Sequence, residues 1–296
     1  MRGWLERAGT GGWWRGPDGV RMWWRVLLFV LLVAVFFAAC ARLMPRTLVR
    51  ALVAEGQMGP GFIVVNELLV LVPVMAATSV MTWLEAGPFI SCGLGGERRL
   101  VRLVQGAGCG LLIMGLLVLL LAAAGHGSLA WGGLRAGGVI SFGLAWAAAS
   151  LLIGFNEELA LRGYLLQALW RGIGFWPALV ITSLVFGTLH ISNQGEGAIG
   201  VATAVLGGAI MALGVRGTGA LWWSIGLHGA WDYVENFLAG TPDSGETCLG
   251  TLLRFTPHGP EILSGGATGP EGSIFALVLL VPALALSWRA FARAPV

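Results

Sequence analysis

Two adjacent acids, Glu157 and Glu158, stand in the apolar stretch Gly154-Phe155-Asn156-Glu157-Glu158-Leu159-Ala160-Leu161-Arg162-Gly163. At mid-bilayer each such acid costs about 2.5–3.5 kcal/mol on insertion scales, so a lipid-facing packing role does not explain the pair. In a helix Glu158 and Arg162 are four residues apart, the spacing at which a carboxylate and a guanidinium meet on one face. Glu157 is turned about 100° away and stays available. One acid with an internal partner and one without suits a site in which the first holds the architecture and the second takes protons.

Two further polar clusters follow: Phe186-Gly187-Thr188-Leu189-His190, extended to Asn193, and His228-Gly229-Ala230-Trp231-Asp232. His228 and Asp232 are again four apart, so the spacing predicts that Asp232 accepts a ring N–H from His228 and fixes its tautomer. A single histidine in an apolar helix is more often a packed hydrogen-bonding residue, but two of them beside a Glu pair point to chemistry. Glu67, within the second predicted helix beside Asn66 but near an end that water reaches, is a substrate-path candidate and is set outside the site. His126 and His258 fall in predicted loops and are expected to be solvated.

The chain that must position these groups is 296 residues long, 56% hydrophobic and 11% charged. A soluble domain of this size would carry roughly 25% charged residues, so the expectation is an all-α, multi-pass membrane helix bundle. All 18 basic residues are Arg, and a net charge of +3 offers no nucleic-acid surface. The four scattered cysteines indicate neither a disulfide framework nor a thiolate metal site. Apolar runs predict about eight helices: Val26 to Ala41, Phe62 to Trp83, Leu103 to Ala124, Val139 to Trp170, Phe175 to His190, Ala198 to Val215, Ala220 to Leu238 and Ser273 to Trp288. Residues 1–25, with Trp4, Trp13, Trp14, Trp23 and Trp24 among Arg and Gly, read as an interfacial segment, and 26–296 as one transmembrane domain with a long loop at 239–272 that is either a lid or disordered. The Arg distribution favours a cell membrane location with both termini cytoplasmic, although Arg42, Arg46 and Arg50 lie on the opposite side. Gly106 and Gly110 within Gly106-Ala107-Gly108-Cys109-Gly110 place small residues at i and i+4, a pattern that lets two helices approach closely.

Depth can be counted along the fourth and fifth helices, which turn near Ile173: Glu157 lies 16 residues before that point and His190 17 after it. Both are therefore about 25 Å from the turn and level with each other. His228, reached from a restart near Gly217, can converge on the same level.

Glu157-Glu158-x-x-x-Arg162, Phe186-x-x-x-His190 and His228-x-x-x-Asp232 together resemble the three-motif signature of the CPBP family, also called ABI or type II CAAX prenyl endopeptidase-like intramembrane proteases. The resemblance covers residues 154–236, in order and in register. It implies that Glu157 with His190 activates a water for attack on a peptide carbonyl, with Glu158 and Arg162 in the same motif, while His228 and Asp232 stabilise the oxyanion or help hold a metal. A zinc or other divalent ion on His190 and His228 and a metal-free glutamate mechanism both fit these residues. The implied partner is a membrane-associated protein or peptide substrate, and the implied setting is a bacterial inner membrane. Two other classes stay open: a non-catalytic scaffold or bacteriocin self-immunity protein, and a transporter using Glu157 and the histidines as a proton relay.

Overall fold

The structure, a computed structural model, describes residues 12–16, 19–45, 58–193, 195–242 and 247–293. Trp4 of the expected interfacial segment, and Arg46 and Arg50, lie outside the described residues. Two short strands, β1 (Arg15–Gly16) and β2 (Gly19–Val20), precede α1 (Met22–Leu43), and Trp13, Trp14 and Trp24 pack ring on ring there. Then come α2 (Pro60–Leu84), α3 (Arg99–Ala123), β3 (Gly127–Trp131) and α4 (Ala136–Glu158). A π-helical segment, Leu159–Leu165, carries α4 directly into α5 (Leu166–Ile173). After Gly174 follow α6 (Phe175–His190), α7 (Ala198–Thr218) and α8 (Trp222–Tyr233), the last prolonged by a second π-helical segment, Val234–Ala239. β4 (Leu253–Pro257), α9 (Glu261–Ser264) and α10 (Ile274–Phe291) complete the chain.

Of the described residues 73% are helical. Among them, six helical segments are long and apolar enough to cross a membrane, including the continuous run 136–173. With the shorter apolar α6, and α8 with its continuation, they correspond to the eight segments expected from the sequence. The outward faces carry exposed Val104, Leu112 and Leu119 on α3 and Val278 and Leu286 on α10, as a lipid-facing surface requires.

Helix α8 lies at the centre of the bundle: every residue from Trp223 to Asp232 is buried. It packs chiefly on α3 and α4, and glycines set the closeness. A Cβ on Gly106 would stand 1.8 Å from the Trp223 carbonyl oxygen, and one on Gly110 2.1 Å from that of Leu227, whereas Gly108 faces open space. Gly106 and Gly110 thus form the small-residue face expected from their spacing. On the other side Gly154 of α4 abuts Gly229 of α8, where a Cβ would come within 2.7 Å of the Gly229 nitrogen. These approaches bring the Glu pair of α4 against His228.

The segment 239–272 is more structured than a plain loop. Its strand β4 pairs antiparallel with β3, from Gly127 opposite Pro257 to Trp131 opposite Leu253. Short strands with mixed exposure carry no alternating hydrophobic pattern, which is why the pair escapes a reading by periodicity.

Candidate active site

Glu158 and Arg162 are wholly buried, and Arg162 Nη1 donates to Glu158 Oε1 at 2.9 Å. The intrahelical pair expected from the spacing is present, even though Arg162 sits in the π-helical turn rather than in regular α-helix. The Arg162 guanidinium also lies over the Phe186 ring, 4.6 Å from its centroid. Space for it comes from Gly208 of α7, whose added Cβ would stand 2.8 Å from Arg162 Nη2.

Glu158 reaches a second partner across the α4–α8 contact: His228 Nδ1 lies 3.2 Å from Glu158 Oε1. A carboxylate oxygen only accepts, so the geometry gives Nδ1 the proton and turns Nε2 toward the cavity. Nε2 is 3.7 Å from Glu157 Oε2 and 3.9 Å from Asp232 Oδ1. The sequence-based expectation that Asp232 fixes the His228 tautomer is therefore corrected. At 3.9 Å the contact is electrostatic rather than a hydrogen bond, and Glu158, anchored by Arg162, is the group that orients the ring.

His190, at the last turn of α6, directs Nδ1 to the Phe186 carbonyl oxygen 2.8 Å away. A carbonyl also only accepts, which leaves Nε2 free of that bond. Phe186 is buried between the two imidazoles, edge-on to His190 at 4.7 Å between centroids and to His228 at 5.8 Å.

These groups line one cavity of about 280 Å³, to which Glu157, His190, His228 and Asp232 all contribute. Glu158 and Arg162 lie behind its wall. Glu157 is the more open of the two acids, with a third of its side chain exposed against none for Glu158, and its Oε2 has no hydrogen-bond partner among the described residues. The remaining wall combines apolar side chains such as Ile153 and Leu227 with Trp231, Glu235 and Glu271. Trp231 Nε1 donates to the Glu271 carboxylate, so the segment before α10 is tied across the cavity.

Glu67 corrects a second reading. Far from a solvated helix end, it is buried, lines the same cavity, and accepts from Asn156 Nδ2 at 2.7 Å. As an acid inside an apolar helix it is a substrate-path candidate, but spacing does not reveal its partner, which is on another helix.

A zinc or other divalent ion finds a poor donor set. No group of three or more His, Cys, Asp or Glu among the described residues is disposed to hold a metal ion. His190 spends Nδ1 on its own helix, and the carboxylates beside His228 Nε2, Glu157 at 3.7 Å and Asp232 at 3.9 Å, do not close a three-donor group with it among the described residues.

What the arrangement can do is handle protons and stabilise a developing negative charge in a cavity whose wall is part apolar and part acidic. No curated protein matches the chain. A family model described as Type II CAAX prenyl endopeptidase Rce1-like matches residues 139–234, which run from α4 into the start of the second π-helical segment and contain all seven residues named in the three motifs. In agreement with those motifs, the segment that builds the cavity is similar to the Rce1-like type II CAAX prenyl endopeptidases, a protease family, and the long apolar helices make the chain a multi-pass membrane protein.

Proposed function

We propose that this protein is an intramembrane endopeptidase that hydrolyses a peptide bond of a membrane-associated protein or peptide with a water activated by Glu157 and His190. The observation that carries the reading is the convergence of Glu157, His190, His228 and Asp232, from three helices distant in sequence, on one cavity. The Glu157 Oε2 to His228 Nε2 gap of 3.7 Å is too long for a direct hydrogen bond. An oxygen atom placed beside that gap is within reach of both, which is the position a nucleophilic water or a developing oxyanion needs.

In this mechanism Glu157 takes a proton from the water as the oxygen attacks the carbonyl carbon. His190, its Nε2 set free by the Nδ1 bond to Phe186, helps orient the water. The C–O bond forms, the carbonyl π electrons move to oxygen, and His228, protonated at Nε2 as well as at Nδ1, donates from Nε2 to the resulting negative charge. Asp232 biases that imidazole electrostatically, and Glu158 with Arg162 holds its ring in place. Collapse of the tetrahedral intermediate breaks the C–N bond while Glu157 returns its proton to the leaving amine. The products are a carboxylic acid and an amine, which become carboxylate and ammonium by proton transfer between them, with no co-reactant beyond the water.

The protein acts in this reading within a bacterial inner membrane, with both termini cytoplasmic. Prenylation of the substrate is not required by any residue of the cavity. The test is quantitative membrane proteomics of cells carrying wild-type protein against cells carrying Glu157→Ala. A precursor accumulating in the mutant, with a new terminus in the wild type, is the expected result. A processing pattern identical in the two strains refutes the endopeptidase.

A further inference from the structure

The bond between Glu67 and Asn156 joins α2, which lies outside the family-matched stretch, to the residue immediately before Glu157. Its geometry is short and buried: Asn156 Nδ2 donates to Glu67 Oε2 at 2.7 Å, with Asn156 2% and Glu67 8% exposed. Asn66 Nδ2 stands 3.5 Å from the other Glu67 oxygen, at the limit of hydrogen-bonding distance. Glu67 also lines the cavity that Glu157 and His228 line. A buried carboxylate is expensive in this setting, and a helix that needed only to pack on α4 would do so with apolar side chains.

We infer that Glu67 is a positioning residue for the hydrolytic reaction, clamping Asn156 so that the α4 backbone presents Glu157 to the cavity at a fixed depth and angle. The inference rests on the endopeptidase reading and adds to it a helix that none of the three motifs contains. Asn156 and Glu157 are consecutive, so a rotation of α4 that frees Asn156 moves the Glu157 carboxylate with it. Two elements fix α4 in this place: Gly154 against α8, and the Glu67 carboxylate from α2. Removing the second takes away the polar contact that fixes this turn of α4 against α2. The interaction needs an acceptor oxygen at position 67, not a negative charge.

The test uses the full-length protein in proteoliposomes, with the precursor that accumulates in Glu157→Ala cells as substrate. Glu67→Ala and Asn156→Ala should each lower kcat by up to about 10²-fold, the cost of a misplacement near 1 Å, with KM little changed. The double variant should be no slower than the worse single one, because both lose the same bond. Glu67→Gln, whose amide oxygen can still accept from Asn156, should recover most of the rate. That recovery is the readout a merely structural or merely charged role would not produce. If Glu67→Gln is as slow as Glu67→Ala, the carboxylate itself is required and positioning through Asn156 is overturned. If Glu67→Ala and Asn156→Ala cleave like wild type, the clamp is overturned while the endopeptidase stands. If the wild-type protein cleaves no faster than Glu157→Ala, the endopeptidase reading falls, and the clamp with it. Should Glu67→Ala fail to reach the membrane, Asn156→Ala against Glu67→Gln makes the same decision.

Discussion

Two buried carboxylate centres sit toward opposite ends of the bundle, and they are built to opposite specifications. Glu85, just past the end of α2, is surrounded by donors: Tyr164 Oη at 2.6 Å and Arg25 Nη1 at 3.4 Å on one oxygen, and Arg171 Nη2 at 3.3 Å on the other. One acid there has three donors from three segments, and it staples α1, α2 and the 136–173 run together. In the cavity the ratio is reversed. One imidazole, His228, faces Glu157, Glu158 and Asp232 within 4 Å, and Glu158 has a buried guanidinium of its own, Arg162. A carboxylate saturated with donors is architecture, because its bonds leave it nothing to exchange. A carboxylate left facing a cavity with an imidazole just out of bonding range costs stability and is poised for proton transfer.

The sharpest way to break this contrast is to neutralise Glu157. Glu157→Gln should lower cleavage by about 10²- to 10⁴-fold, the range for loss of a general base, with an unchanged melting temperature in detergent. A large fall in melting temperature would instead make Glu157 a staple like Glu85. Next in size is Arg162→Leu. It strands Glu158 in the core without its guanidinium, for which about 3–5 kcal/mol of destabilisation is expected. Thermal unfolding followed by size-exclusion chromatography measures it, and activity should fall with the fraction folded and further still, since His228 loses its anchored orienting acid.

The third test asks whether helix packing holds the two sides of the site together. Gly110→Ala forces α3 away from the Leu227 carbonyl, next to His228, and should cost about 1–3 kcal/mol and slow cleavage. Gly108→Ala, one turn face away and in open space, should change neither. Equal behaviour of the two would mean that the close α3–α8 approach does not control the position of His228.

How much of this could be read without coordinates differs between the same two regions. The cavity residues were legible because helical spacing puts partners four apart on one face: Glu158 with Arg162, and His228 with Asp232 as electrostatic neighbours. The Gly174 turn, with φ at +85°, falls where the depth count placed it, and the glycine face of α3 followed from the i, i+4 pattern. What spacing could not disclose were contacts between helices. Glu158 rather than Asp232 orients His228, Glu67 reaches Asn156 across 89 positions of sequence, and Glu271 enters the cavity from a segment read as loop. The π-helical turns at Leu159–Leu165 and Val234–Ala239 were equally hidden, since one extra residue in a turn leaves no mark on an all-apolar pattern. The Glu85 centre was invisible for the same reason: its donors come from Arg25, Tyr164 and Arg171, none within helical reach of one another or of the acid, save that the last two share a run.

That centre supplies the smallest and most discriminating perturbation. Tyr164→Phe removes only the 2.6 Å hydrogen bond to Glu85 and keeps the ring that packs on Phe29 at 4.9 Å between centroids. Arg25 and Arg171 still contact the carboxylate, so Glu85 is not left alone and the loss is one hydrogen bond to a charged acceptor, about 1.5 kcal/mol. The expected result is a melting temperature lowered by a few degrees, in line with about that energy in a chain of this size, and cleavage unaltered in kcat and KM at a temperature where both proteins are folded. Tyr164 belongs to the same π-helical turn as Arg162, which makes the outcome informative in either direction. Unaltered kinetics mean that the turn transmits nothing from its staple side to its catalytic side, so the two carboxylate centres are energetically separate. A fall in kcat would mean that the π-turn is a single mechanical unit, with Glu85 setting the position of Arg162 and, through Glu158, of His228.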